Sequence, residues 1–168
     1  SCFYQDNIGN AYIGYGVWER FKISKIDSSG NLLWSDTYVS ELPLSVSGDE
    51  VRAIVVDSIQ NIYVTGRHYG EVAQTNADIL TLKYTPTGTR IWTKRYTYLS
   101  NNAADIPNDI ILDKNLNVYV AGQSERTIAG ADYDYIVVKY DNTGSEIGTI
   151  RFNNASNGDD AITSLIVS

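Results

Sequence analysis

Apolar and polar residues alternate in short runs along this chain, and no stretch keeps an apolar stripe at helical spacing for three turns. Runs of Tyr, Ile, Val and Thr, residues that suit pleated strands, are bounded by Gly, Asn and Asp, which serve tight reversals. Over 49–104 the pattern predicts four strands, Val51–Asp57, Asn61–Arg67, Asp78–Thr85 and Arg90–Tyr98. Over 105–158 it predicts Pro107–Asp113, Asn117–Ser124, Tyr133–Asp141 and Glu146–Asn153. Connections this short join four strands into an antiparallel meander.

Self-comparison turns the meanders into a repeat. The string Asp-Ser-Ile-Gln-Asn-Ile-Tyr-Val-Thr-Gly at 57–66 returns as Asp-Lys-Asn-Leu-Asn-Val-Tyr-Val-Ala-Gly at 113–122, and a partial copy starts at Asp6. Lys83-Tyr-Thr-Pro-Thr-Gly88 has counterparts beginning at Lys25 and Lys139. Trp34 and Tyr38 match Trp92 and Tyr96, and Gly148 and Phe152 hold the same places in the third unit. The units fall at about 1–48, 49–104 and 105–158, and 159–168 matches the first strand of a further one. Inner strands such as Ala53-Ile-Val-Val and Ile79-Leu-Thr-Leu are apolar on both faces, as expected if neighbouring sheets cover both sides. The fourth strand, Arg90-Ile-Trp-Thr-Lys-Arg-Tyr, alternates large residues with charges, as an edge strand should. A four-stranded period near 50 residues predicts an all-β chain of β-propeller blades, about three of them, forming part of a larger or oligomeric propeller. A two-sheet sandwich has no reason for so regular a period.

The strings Asp-x-x-x-Asn-x-Tyr-Val-x-Gly and Asp134-Tyr-Ile-Val-Val-Lys-Tyr-Asp-x-x-Gly144, with the Trp-x-x-x-Tyr ending, resemble the bacterial beta-propeller repeat family, SBBP. The likeness extends over all three units. Unit one departs by a shorter link between its second and third strands and by Arg20 where Asp78 and Asp134 stand, and unit three by Gly148 where Trp is expected. The resemblance implies a secreted or surface-displayed repeat module without enzymatic activity, and it implies no agreed ligand.

Charge narrows the partners. With 13 Lys and Arg against 20 Asp and Glu, the net charge is −7, which lacks the basic face that nucleic acid requires. No apolar run approaches the ~20 residues of a membrane helix. A single Cys excludes an internal disulfide, and one His leaves little for metal or acid–base chemistry, so no cofactor is expected. Cys2 aligns with Ala53 on a first strand, where a small buried residue belongs, and that outweighs lipidation at this thiol. Asn154-Ala-Ser156 fits a glycosylation acceptor, a tripeptide common by chance. Three blades fall short of the four to eight that close a propeller, and lone end blades would expose apolar faces. The partner expected is therefore the remaining blades of a longer protein, or a second copy that completes the ring.

Candidate chemistry is sparse. Catalytic and metal-ligating residues are expected to be absent, since no GxSxG element or DxDxDG-type loop occurs. The repeated aspartates, Asp49, Asp105 and Asp160 before first strands and Asp6, Asp57 and Asp113 after them, are read as Asx-turn residues. Asp132 and Asp134 are read as strand-start residues, and Trp34 and Trp92 as inter-blade packing. Lys25, Lys83 and Lys139 are expected to lie over neighbouring strands with their charge in water. The binding candidates are Trp18, which has no counterpart in the other units, the loop run Arg67-His68-Tyr69, and Arg126. Specificity would live in the non-repeating segments 39–48, 68–77, 98–104, 123–131 and 153–159, because loops vary while the frame is kept. The function expected is a binding or scaffold module, extracellular or at the cell surface, that takes protein or glycan through rim loops. The alternatives are the propeller portion of a larger enzyme and a self-assembling structural subunit.

Overall fold

A computed structural model describes residues 1–17, 20–39, 48–69, 77–98, 103–126, 132–153, 162 and 164–166. Twelve strands form among them: β1 (Cys2–Gln5), β2 (Ala11–Val17), β3 (Arg20–Ile26), β4 (Leu32–Tyr38), β5 (Glu50–Val56), β6 (Ile62–His68), β7 (Asp78–Tyr84), β8 (Arg90–Tyr96), β9 (Asp105–Leu112), β10 (Val118–Glu125), β11 (Tyr133–Tyr140) and β12 (Glu146–Phe152). They make three antiparallel four-stranded meanders, β1–β4, β5–β8 and β9–β12, here blades 1, 2 and 3. Pairing follows the repeat: Ile62 lies opposite Tyr84 in blade 2 and Val118 opposite Tyr140 in blade 3. None of the described residues is helical, so no helix is long and apolar enough to cross a membrane.

The blades stack through their faces, with β5 against blade 1 and β9 against blade 2. Between blades 1 and 2, Tyr12, Phe21 and Ile23 meet Val51, Ile62, Val64, Leu80 and Leu82. Between blades 2 and 3, Tyr63, Ile79 and Trp92 meet Ile110, Val118, Val120, Ile136 and Val138. Every residue of β7 is therefore buried, one face toward each neighbour. That two-sided burial is why the inner strands read as apolar runs and not as alternations. Where β7 and β6 place threonines instead, Thr65 donates its hydroxyl to the Leu80 carbonyl at 3.0 Å and lies 3.3 Å from the Thr81 hydroxyl, so neither threonine goes unpaired.

A repeated clasp joins the outer strands. The Trp34 indole stacks on Tyr84 and its Nε1 donates to the Pro86 carbonyl at 3.0 Å. One blade on, Trp92 lies 6.2 Å from the Tyr140 ring and its Nε1 points to the Asn142 carbonyl at 3.3 Å. Both indoles rest on the turn glycine that follows. A Cβ on Gly88 would stand 2.6 Å from the Trp34 ring, and one on Gly144 would stand 2.9 Å from Trp92. These glycines also take a φ of 86°, which side chains disfavour. The expected inter-blade role of both tryptophans is thus observed.

Two expectations need correction here. Lys25 and Lys83 do not hold their charge in water: both are buried, with Nζ 5.1 Å from the Tyr12 ring centre and 4.9 Å from that of Tyr63. Lys83 also donates to the Asn142 carbonyl of the next blade at 3.0 Å, and the ring face and carbonyl replace part of the lost hydration. Lys139 keeps the same stance, 4.7 Å over Tyr119, but on the outer face of blade 3 it is only half-buried. The described residues of the expected strand at 159–168 are not in a strand. Asn108 Nδ2 donates to the Ile162 carbonyl and the Leu165 N–H donates to Asp109 Oδ2, which lays the segment on β9 through side chains. As expected, both end blades expose apolar side chains, Ile150 and Phe152 on blade 3 and Phe3 and Leu32 on blade 1, where Lys22 sits over the Tyr15 ring.

Candidate functional site

Chain direction separates the two rims of the stack. At one rim lie only tight turns, between first and second strands and between third and fourth strands. All the longer connections, from second to third strand in blades 2 and 3 and from one blade to the next, leave from the other, where only two residues separate β2 from β3 in blade 1.

The tight-turn rim is built on aspartates as expected. Asp6 Oδ1 accepts from the Ile8 and Asn10 N–H groups, and its Oδ2 accepts from Asn10 Nδ2 and the Tyr12 hydroxyl. Asp57 repeats the set with Ile59, Asn61 and Tyr63, and Asp113 repeats it with Asn115, Asn117 and Tyr119. Burial would raise the Asp6 carboxyl, but these donors outweigh it and hold it below the usual carboxylate range. Two clefts open between neighbouring turns. One of ≈ 330 Å³ is lined by Tyr4, Asp6, Asn7, Asp57 and Gln60, and one of ≈ 560 Å³ by Val56, Asp57, Ile111, Asp113, Leu165 and Ile166. The aspartates that line them are spent on backbone donors. Among the described residues no group of three His, Cys, Asp or Glu side chains is placed to hold a metal ion.

The loop-bearing rim has a different floor, and it corrects the Asx-turn reading of Asp49 and Asp105. Asp49 Oδ2 accepts from His68 Nδ1 at 2.8 Å, and its Oδ1 accepts from the Tyr69 N–H at 2.9 Å. In blade 3 the same place holds Asp105, which accepts from the Ser124 hydroxyl and, at 2.7 Å, from the Tyr98 N–H. His68 and Ser124 are equivalent positions at the ends of second strands. A second repeated pair lies beside them: Arg95 meets Asp78, and Arg151 Nε donates to Asp134 at 2.7 Å. Arg151 also donates to the Ser124 hydroxyl and to the Ser124 and Glu125 carbonyls, and it lies 3.9 Å over the Tyr98 ring. Asp160, the third aspartate of the series, lies outside the described residues.

Burial sets the electrostatics of this floor. Asp78 is 1% exposed, and burial raises its carboxyl despite Arg95 beside it. Burial lifts Asp105 to about 6, against hydrogen bonds from Ser124 and Tyr98 that lower it. Between about pH 4 and 6 the folded chain holds this proton while an unfolded carboxyl has lost it, so Asp105 makes stability fall as pH rises through that window. An upward shift of this size corresponds to about 2–3 kcal/mol. Asp105→Asn should therefore flatten the difference in urea midpoint between pH 4.5 and pH 7 relative to the parent chain. An unchanged slope would show that another group titrates.

The sequence candidates end up in distinct settings. His68 was expected in an exposed loop, yet it is the last residue of β6 and only 2% exposed. The strand continues one residue further because His68 pairs with Asp78 in the β6–β7 ladder, and the Asp49 carboxylate and the edge-on Tyr38 ring enclose the imidazole. Its neighbours turn outward: Arg67 Nε lies 3.2 Å from Glu50, and the guanidinium sits 5.7 Å over the half-buried Tyr69 ring. Arg126 closes its own hairpin on Asp132, with Nη2 to Oδ2 at 2.7 Å. It belongs to the same rim but one blade on, and the structure does not bring it to Arg67. Trp18 lies outside the described residues.

The Asp–Arg pairs were missed as functional residues, although a signal existed. Asp78 and Arg95 recur as Asp134 and Arg151 with the same spacing, which opposite charges on two strands of one edge rarely keep without pairing. Chemically, this floor is an anchor. The Ser124 hydroxyl donates to Asp105 and accepts from Arg151, and the His68 ring is held between Asp49 and Tyr38.

Comparison with known proteins agrees with this architecture over one stretch. No curated protein matches the chain. A solved structure, a protein of unknown function from Bacteroides caccae, is similar over 92% of this chain at 14% identity, with a TM-score of 0.46. The chain spans 45% of that protein's length. Residues 91–125, the outer strand of blade 2 and the first two strands of blade 3, match the SBBP family, described as a beta-propeller repeat. The chain thus carries a beta-propeller repeat, set within three four-stranded blades that fit part of a propeller.

Proposed function

We propose that this chain is a non-enzymatic binding or scaffold module, a run of propeller blades of a secreted or cell-surface prokaryotic protein. It takes protein or glycan through the loops of one rim. The observation that carries this reading is the division of labour between rims. Every long connection leaves from the same side, above a floor of buried Asp–Arg and Asp–His contacts that fixes where each loop starts. A rigid frame with variable loops is how recognition surfaces are generally built.

Binding of the purified chain to immobilised oligosaccharides and to bacterial surface proteins tests the proposal. Replacing residues 70–76 with Gly and Ser at equal length should remove the binding and leave the melting temperature unchanged. The same exchange at Thr87 and Asn142, on the opposite rim, should leave binding intact. Turnover of ester, glycoside or phosphoester substrates by the isolated chain would overturn the non-enzymatic reading.

A further inference from the structure

We infer that the two ends of the blade stack fit one another, so that the outer face of blade 3 docks on blade 1 of a second copy of this chain. The inference rests on the propeller reading above, and it comes from four positions that recur at each seam. At the first seam Trp34 and Asp36 of β4 meet Tyr84 and Arg90: the indole stacks on Tyr84, and Asp36 accepts from the Tyr84 hydroxyl at 2.9 Å and from Arg90. At the second seam the same places hold Trp92 and Lys94 on β8, with Tyr140 and Glu146 on blade 3. The aromatic clasp is kept, and the charges at the other two places are exchanged in sign. Lys94 reaches over the turn at Gly144, two residues before Glu146, where a Cβ would stand 2.9 Å from its Cε.

At the two ends of the stack these places hold Gly148 and Ile150 on β12, and Ile26 and Leu32 on blade 1. Both halves of the aromatic clasp are gone, and both halves of the charge pair have become aliphatic. Among the described residues nothing stands within 4 Å of a Cβ added at Gly148 or at Gly30, and Ile150 and Leu32 are 68% and 62% exposed. A blade of the internal kind would bury an Asp, Lys, Arg or Glu against one of these aliphatic side chains, which is unfavourable. The two ends share no such mismatch. On blade 3 the inner strand β9 already carries residues of its own chain, Asn108 Nδ2 donating to the Ile162 carbonyl and the Leu165 N–H to Asp109 Oδ2, so the contact falls on the outer strands.

Sedimentation and light scattering of the 168-residue chain test this. The wild type should have the mass of two 18.6 kDa chains. Leu32→Arg and Ile150→Asp, each on an exposed side chain, should each weaken the dimer roughly tenfold or more. Mixing the two variants, or combining them in one chain, should restore it, because the pair then reproduces Arg90 against Asp36. A monomer whose Trp34 and Trp92 indoles remain shielded from quencher would overturn the end-to-end contact alone and leave these ends to a different blade. A dimer indifferent to both single changes, or one the double change does not rescue, would also overturn it. Exposed indoles in the wild type would instead overturn the stacking of blades on which the inference rests.

Discussion

Trp92→Ala is expected to lower the stability of the folded chain by about 3–5 kcal/mol, as for other large aromatics removed from a core. The indole is 9% exposed and fills the space between the Tyr63 ring of its own blade and the Tyr140 ring of the next. Its removal leaves a gap at a junction of two sheets, where neither can collapse without losing register with the other. Gly144 cannot help, because it was the absence of a side chain there that admitted the ring. Trp34→Ala should cost less, since Trp34 is only partly buried against its core. Urea unfolding followed by far-UV circular dichroism measures both. A loss under about 1 kcal/mol for Trp92→Ala would mean that the indole holds no inter-blade junction.

Arg95→Met is expected to have the second large effect, again about 3–5 kcal/mol, because it leaves the Asp78 carboxylate buried without its partner. The sign can be checked with pH. Burial already raises the Asp78 carboxyl, and without Arg95 it rises further. The variant should therefore recover stability as the pH falls and Asp78 takes a proton, whereas a purely steric defect would be indifferent to pH. Arg95→Met combined with Asp78→Leu should regain most of the loss, since removing both charges spares the desolvation that removing one exposes. If the double change is as unstable as the sum of the singles, the two residues are not coupled.

Much of this architecture was legible in the sequence, for a physical reason. A blade cannot bury both faces unless its neighbours present the same spacing, so the repeat had to be kept at Asp57, Asn61, Tyr63 and Gly88 and at their counterparts. Turn chemistry was equally readable, because an Asx turn is local and its donors lie within six residues of the aspartate. The polar floor of the loop-bearing rim was harder to read. Asp49 and His68 are 19 residues apart, and which of two adjacent strand-end residues points inward depends on the ladder and not on composition. The lysines misled for a similar reason: a long side chain at a repeated place reads as a solvated one until the Tyr ring and carbonyl that receive it are located. The end seams could be compared only once it was clear which side chains face which neighbour. Isoleucine at 150 and leucine at 32 are unremarkable until set beside Asp36 and Arg90.

The account stands on radial stacking of the three sheets through the clasps at Trp34 and Trp92. Proton nuclear Overhauser contacts from the two indoles test it most directly. Stacking predicts cross-peaks from Trp34 to Tyr84 and Gly88 and from Trp92 to Tyr140 and Gly144, each indole reaching, beyond its own blade, only the blade that follows it. Indoles that touch nothing beyond their own sheet, or a Trp34 in contact with blade 3, would contradict it.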